Sequence, residues 1–462
     1  MKPFIFPTIL AAFVALATNV TAQDAQYWDI QYGPVGQLLG GQVVGSTRDL
    51  SSTYYNPGGL ALGDDPDFLL SVQGFRKQTL SLEPVEGGEF LNTSDTEWGT
   101  SPGFVAFAFP EDWLGDRTRL AFSLLTRQEY VARVDQRFAG NEPILGGRYG
   151  LETLYDQRMQ ETWGGLTLSR RIGEHWGLGG TLYGAYRSQR TRWEQNLQLA
   201  YPDGSGVAAL VVDDFDYNHW RVLGKIGVAW EGDRWRAGVV VTTPSAGLFG
   251  GGNVGFVRSA TGADLDGDGR SDSLLANGLD QELDSSYKSS WAYAGGAAWR
   301  RGSLQLHASV EYFAPVDRFI VLQGQSLSPA GEPVTLTQEL RGVLNGGIGA
   351  EYWLGGASVD TAARHGGTVI YGAFATDRTA SPEVEANEAS TSNQDHYHLT
   401  GGTSFSVGSS RFSLGVSYAF GSKRRNFGFG GLPPSVPIIG EGREIDVSFS
   451  RISFVLGYLF GR

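Results

Sequence analysis

The sequence predicts an all-β chain, a transmembrane antiparallel β-barrel of about 14 strands with an N-terminal plug in its lumen. Three observations lead there. Segments that alternate between apolar and polar residues recur from residue 67 to the end. The connections between them alternate between long and short. The composition joins 66 Gly to 12 Trp, 19 Tyr and 25 Phe, with only 18 % charged residues. That suits aromatic girdles around a lumen lined by small side chains.

The candidate strands are 67–76, 102–109, 118–134, 158–172, 176–199, 216–231, 234–243, 285–300, 303–313, 336–353, 367–376, 395–408, 411–421 and 447–460. Their number is even, as single-chain bacterial barrels require. Long loops are expected near 135–157, 200–215, 244–284, 314–335, 377–394 and 422–446. Short turns fall at Gly173-Glu174-His175, Glu231-Gly232-Asp233, Arg301-Gly302 and Ser409-Ser410. Long extracellular loops and short periplasmic turns are the barrel pattern, and it places both termini in the periplasm.

The faces agree. In 216–231 one face reads Trp220, Val222, Gly224, Ile226, Val228, Trp230, and the other His219, Arg221, Leu223, Lys225, Gly227, Ala229. Ten residues at about 3.3 Å each, tilted by about 40°, rise about 25 Å, the height of a lipid-facing band. Trp220 and Trp230 can therefore sit in opposite interfacial girdles. The same division separates Phe412, Leu414, Val416, Tyr418 and Phe420 from Arg411, Ser413 and Ser417.

Residues 1–22 read as a secretory signal peptide, with Lys2, an apolar run from Ile9 to Ala17 and a small-residue cleavage site at Val20-Thr21-Ala22. The formal net charge of −13 argues against nucleic acid, whose binding rests on Lys and Arg neutralising phosphates. No apolar run of 18 residues follows the signal, so no spanning helix is expected. A closed barrel is the other structure that satisfies its backbone in lipid. The chain has no Cys, hence no disulfide framework and no thiolate chemistry.

Residues 23–66 precede the barrel of 67–462. Within them lies Asp49-Leu-Ser-Ser-Thr-Tyr54-Tyr55-Asn56-Pro57-Gly58-Gly59-Leu60. Pro57 fixes its own φ and pushes Asn56 out of the α region, and Gly58-Gly59 permit a tight reversal. This run resembles the hatch signature of the FadL/TodX family of outer-membrane transporters, with Gly58 where the family usually has Ala. The resemblance is sharpest over 45–62 and architectural elsewhere. It implies a hatch of residues 23–66 gated around Tyr54, Tyr55, Asn56, Pro57, Gly58 and Gly59. It also implies passive uptake of hydrophobic molecules such as long-chain fatty acids or hydrocarbons across the cell outer membrane. In that family a kink in the third strand opens a lateral exit; here 118–134 holds no Gly or Pro to make one.

Several other segments could carry chemistry. Leu248, Phe249 and Phe256 fall in one expected extracellular loop, and Phe427, Phe429, Leu432, Ile438 and Ile439 in another. Apolar residues at a water-facing mouth are costly unless covered or used. They form a capture site for a hydrophobic ligand, or a lid of two loops packed on each other, or both. Arg187, Arg221, Lys225, Arg236 and Arg341 are expected to face the lumen with Glu311, Glu339 and Glu351. They brace the plug through ion pairs, and a cation left over could pair with a carboxylate-bearing ligand.

Asp264, Asp266, Asp268, Arg270 and Asp272, with Gly269 between, match the spacing of an oxygen-ligand calcium loop. Leu275 stands where an EF-hand has its bidentate Glu. Calcium ordering an extracellular loop and a solvated acidic turn are the two readings, and no other cofactor is required. His396-x-His398 puts two imidazoles on one strand face, as a metal pair or a solvated strand end. No hydrolase, zinc-protease or phosphate-loop motif occurs, so the chain is not read as an enzyme. Expected partners are a hydrophobic small molecule, outer-membrane lipid and the barrel-assembly machinery. That machinery reads a C-terminal aromatic such as Phe460, which Gly461 and Arg462 follow here. Two other functions fit the same fold: docking in a protein secretion system, and an outer-membrane lipid enzyme.

Overall fold

The computed structural model describes residues 20–21, 26–63, 66–84, 93–110, 113–141, 146–263, 270–327, 333–354, 367–382, 394–427 and 443–461. Most of the signal segment lies outside them; Val20–Thr21 pair in parallel with Leu336–Thr337.

Fourteen strands among the described residues form a closed antiparallel ring. They are β1 (Pro66–Pro84), β2 (Thr93–Ala108), β3 (Thr118–Asn141), β4 (Arg148–Ile172), β5 (Trp176–Ala200), β6 (Gly206–Glu231), β7 (Trp235–Thr242), β8 (Ala292–Arg301), β9 (Leu304–Phe313), β10 (Val343–Trp353), β11 (Val369–Asp377), β12 (His396–Val407), β13 (Ser410–Phe427) and β14 (Arg443–Gly461). β14 pairs with β1 and closes the ring. Neighbours in sequence around the ring are neighbours in space, so the sheet closes on itself as a spanning barrel must.

Alternation along each strand sorts the side chains. On β5 Trp176, Leu178 and Leu182 face outward, while Thr181, Tyr183 and Arg187 are buried inside. On β6 Trp220 and Ile226 face outward and Arg221, Leu223 and Lys225 inward, as the sequence predicts. The outer surface is a belt of exposed Leu, Ile, Val and aromatic residues around the whole ring. At the short-turn end it carries Trp176 with Trp230 and Trp235 with Trp299. At the other end it carries Tyr186 with Trp220, Trp291 with Tyr293 and Phe374 with Tyr397. Such a belt fits hydrocarbon rather than water. Among the described residues no helix is long and apolar enough to cross a membrane.

The structure departs from the expected boundaries in four places. The loops expected at 135–157 and 200–215 are largely strand, because β3 to β6 run for 24 to 26 residues. Beyond the apolar belt their outward faces turn charged, with Arg190 and Arg192 near Asp214 and Arg192 on Glu194. Charge on the outer face looked like loop, yet the inner face keeps its period of two. The loop expected at 244–284 is a hairpin, Ala246–Ala263 with Asp272–Asp284, whose first strand pairs with the upper part of β6. β7 pairs only with the lower part of β6, over Lys225–Glu231. The strand expected over 285–300 begins at Ala292. The strand expected over 336–353 is interrupted, and its first part, Pro333–Leu340, pairs with Val316–Leu327 in a second hairpin.

Candidate functional site

Residues 26–63 lie inside the ring and reach all fourteen of its strands. Gly33 N donates to Ser71 on β1, and the Tyr32 ring sits 5.9 Å from Phe104 on β2. Tyr32 Oη donates to Thr126 O on β3, and Ala61 N to Ser169 Oγ on β4. Thr181 and Tyr183 of β5 both donate to Thr53 O, at 2.8 and 2.9 Å. Asn56 Nδ2 reaches Val228 O on β6 and packs against Gly238 of β7. Gly45 abuts Gly296 of β8, Ser46 bonds His307 of β9, and Leu39 packs on Gly349 of β10. Asp377 of β11 accepts from Tyr27 N and Trp28 N. Leu38 fills the space above Gly402 of β12 and Gly415 of β13, and Arg451 of β14 grips Asp29. Burial alone would raise the Asp29 pKa, but the Arg451 guanidinium holds it well below the usual carboxylate range.

The local fold of this segment follows its sequence. Pro34 starts a short helix, α1 (Pro34–Leu38), where its missing N–H costs nothing. α2 (Ser52–Tyr55) stops at Asn56, which is extended because Pro57 follows it. Asn56 Oδ1 then accepts from Gly58 N and starts a 3-10 turn over Pro57–Leu62. A Cβ on Gly58 would lie 2.5 Å from Gly177 O and 2.7 Å from Gly227 O. Glycine is what lets the turn press against the wall of β5 and β6.

The wall is interrupted beside this segment. β2 and β3 pair only over Phe104–Ala108 with Ala121–Leu125. β3 goes on pairing with β4 up to Asn141, and β2 with β1 up to Thr93. A bulge falls between Thr126 and Gln128, where the ladder to β2 ends. It turns Arg127 and Gln128 both inward and buries them. Arg127 Nη1 donates to Tyr27 O at 2.7 Å, and Gln128 Nε2 to Gln26 O at 3.1 Å. The N-terminal segment thus bonds to β3 where β2 lets go.

A small, partly open cavity adjoins this point. Tyr27, Tyr54, Trp163, Tyr287 and Phe313 give it aromatic walls. Arg127, Arg221 and Lys225 line it with Glu161 and Glu311, an excess of one cation. Glu161 serves both Arg187, at 3.1 Å, and Arg221, so two guanidinium groups share one carboxylate. Both also lie over the Tyr287 ring, at 4.3 and 4.1 Å. Arg221 keeps Nε and Nη1 buried without a hydrogen-bond partner. Among the described residues Lys225 makes no ion pair, and its Nζ rests 4.0 Å above the Tyr54 ring. Glu311 accepts from Trp28 Nε1 at 2.7 Å. Burial pushes the Tyr54 phenol up to about 12 against the pull of Arg127, so it stays protonated. The cavity can take an apolar body against its rings and a negative group at Lys225 and Arg221.

No protein-family model matches the chain, and no curated protein matches it in sequence. Solved structures do match. A Pseudomonas aeruginosa FadL homologue aligns over 94 % of this chain and 99 % of its own, at 12 % identity and a TM-score of 0.57. The Pseudomonas putida toluene transporter TodX aligns over 94 % and 99 % at 13 % identity and 0.52. The monoaromatic hydrocarbon channel CymD aligns over 94 % and 98 % at 14 % identity and 0.52. The chain has the FadL/TodX fold.

In this FadL-type barrel the residues singled out from sequence are dispersed. Tyr54 lines the cavity. Tyr55 Oη accepts from Tyr32 N and donates to Gln31, inside the segment. Pro57, Gly58 and Gly59 are buried against the wall. Arg187, Arg221 and Lys225 are buried inside the ring. Arg236, near the short turns, shares Glu231 with Arg48 of the N-terminal segment. Arg341 is exposed between strands, donates to Thr379 O and lies 3.8 Å from Asp395. Glu351 is buried against His307, whereas Glu339 pairs with Arg318 at the surface.

Leu248 and Phe249 lie on the outward face of the first hairpin strand, with Phe249 against Trp220 in the girdle. Phe256 points the other way, into a cluster with Phe215, Val254 and Phe319. Phe427 ends β13; Phe429, Leu432, Ile438 and Ile439 lie outside the described residues. So do Asp264, Asp266 and Asp268, while Arg270 is exposed and Asp272 opens the second hairpin strand. Sequence reasoning missed Tyr32, Arg127, Glu161 and Tyr287. Near Arg127-Gln128 a signal was present: four successive polar residues, Thr126 to Glu129, break the alternation, as a bulge can.

Proposed function

We propose that this chain is an outer-membrane channel for passive uptake of hydrophobic molecules, with residues 26–63 as its hatch and both termini in the periplasm. The observation that carries the reading is the end of the β2–β3 ladder at Leu125. It adjoins a partly open cavity, and hatch residues bond to β3 there, beside the β1 contacts of Arg76 with Glu129 and of Gln78 with Val131 O. A guest enters from the end that bears the hairpins and settles against Tyr27, Trp163, Tyr287 and Phe313. Rearrangement around Asn56-Pro57 loosens the contacts of Tyr32, Tyr27 and Gln26 with β3, and the guest leaves sideways between β2 and β3. The neutral ones contribute only about 0.5–1.5 kcal/mol net each and the one from the Arg127 guanidinium about 1.5–3 kcal/mol, so a bound guest can offset a few of them. The bulge at Arg127 supplies the irregularity that neither Gly nor Pro provides in 118–134. The structural relatives named for toluene and monoaromatic hydrocarbons support an apolar guest. Lys225 and the partnerless atoms of Arg221 favour a guest that also carries a carboxylate.

The test is chemical. The protein is purified in detergent and its bound small molecules are identified by mass spectrometry, beside Leu223→Trp, which fills the cavity. The reading expects a hydrophobic molecule held by the parent protein and lost from the variant. A parent barrel that holds none and binds neither a fatty acid nor an alkylbenzene on titration overturns it.

A further inference from the structure

Where the N-terminal segment enters the ring, a second cluster stands apart from the cavity. Asp29 of the segment, Asp377 at the end of β11 and His398 on β12 bring one ligand atom each within 4.8 Å of one another. Asp377 is fully buried and His398 is 6 % exposed. Asp377 Oδ1 is saturated: it accepts from Tyr27 N and Trp28 N at 3.0 Å each and from Asn345 Nδ2 at 3.2 Å. Its other oxygen, Oδ2, has no hydrogen-bond partner, and neither has His398 Nε2. These two orphaned atoms face each other at 3.8 Å. That is too long for a hydrogen bond, and leaving both buried and unmatched is costly. It is a separation that two ligands of one ion can span, since metal–nitrogen and metal–oxygen bonds are about 2.0–2.2 Å.

We propose that Asp29, Asp377 and His398 form a site for a divalent first-row metal ion such as Zn²⁺, which ties the start of the N-terminal segment to the barrel wall. Neutral imidazole with carboxylates is a donor set for such ions. The carboxylates are already oriented: Arg451 grips Asp29 and leaves lone pairs free, while Asn345 and two backbone amides fix Asp377. His396 stands two residues earlier on the same inward face, stacked on Phe449 with both ring nitrogens unpartnered, but it lies outside the group of three. Asp29 keeps 15 % of its side chain exposed, which gives the ion a way in. The metal would fix residues 27–29 next to Trp28, whose indole holds Glu311 at the cavity edge.

The test uses the full-length protein, tag removed and chelator-stripped, titrated with Co²⁺ and then with Zn²⁺. One equivalent of Co²⁺ should give visible absorption bands that Zn²⁺ abolishes. His398→Gln should weaken binding at least tenfold, and Asn345→Ala about 10- to 100-fold as the loss of an outer-shell partner. His175→Gln, in an exposed turn, should change nothing. Retained heat-modifiability on gels verifies folding of each variant. No stoichiometric binding by the parent protein, or binding unchanged in a folded His398→Gln, overturns the proposal.

Discussion

Asn56 donates from Nδ2 to two carbonyls at once: that of Val44 in its own segment and that of Val228 on β6, each at 3.0 Å. Its Oδ1 accepts from Gly58 N. One side chain thus closes the turn of the N-terminal segment and fastens it to the wall. Asn56→Ala should cost about 1–3 kcal/mol of local stability, the penalty of stranding buried partners. Limited proteolysis should cut within 26–63 several-fold faster, while the barrel melting temperature stays within a few degrees. Unchanged protection of the segment would argue against this fastening.

The contact between Gly58 and the carbonyls of Gly177 and Gly227 leaves no room for a methyl group. Gly58→Ala, a change toward the residue usual in the FadL/TodX family, should therefore lift the turn off the wall. Hydrogen exchange of residues 56–62 should quicken at least tenfold. Gly173→Ala is a suitable contrast: that glycine sits in a short turn with open space around it, and only its positive φ resists the change. It should leave exchange in the segment as it was.

Lys225 rests on the Tyr54 ring without an ion pair among the described residues. If the guest bears a carboxylate, Lys225→Met should weaken its binding by about 1.5–3 kcal/mol, roughly 10- to 100-fold. Binding of an uncharged alkylbenzene should change less than threefold. Isothermal titration with the two ligand classes separates these outcomes, and equal losses for both would remove the charge from the account.

The Asp-rich stretch 264–272 joins the two strands of the outer hairpin. Calcium bound there should raise the melting temperature of the parent protein, and Asp266→Ala with Asp268→Ala should abolish the rise. A parent protein indifferent to calcium ends that proposal.

Much of the wall was legible because a strand reports its own faces. Trp220 to Trp230 alternate with Arg221 to Ala229 strictly enough to fix both surfaces and the height of the belt. The hairpin 246–263 with 272–284 was not legible. Leu248-Phe-Gly-Gly-Gly-Asn-Val-Gly-Phe256 has the composition of a loop, and its ladder is imposed by pairing with β6. Arg341 was misplaced because the strand assigned around it is interrupted there. The break in the ladder between β2 and β3 was sought through Gly or Pro in 118–134, whereas it coincides with a bulge that turns Arg127 and Gln128 to the same side. The cavity pairs residues nearly three hundred positions apart, such as Trp28 with Glu311, and no local pattern carries that information.

The central claim is that hydrophobic molecules pass through this barrel under control of its N-terminal segment. The most direct measurement is influx of a radiolabelled fatty acid and a radiolabelled alkylbenzene into proteoliposomes. The parent protein is compared with the double variant Asn56→Ala, Pro57→Ala and with protein-free vesicles. The account predicts saturable influx of at least one ligand with the parent protein. It also predicts a rate altered several-fold in the variant, with barrel assembly intact on gels. Influx no faster than in protein-free vesicles, or the same rate in parent and variant, would contradict it.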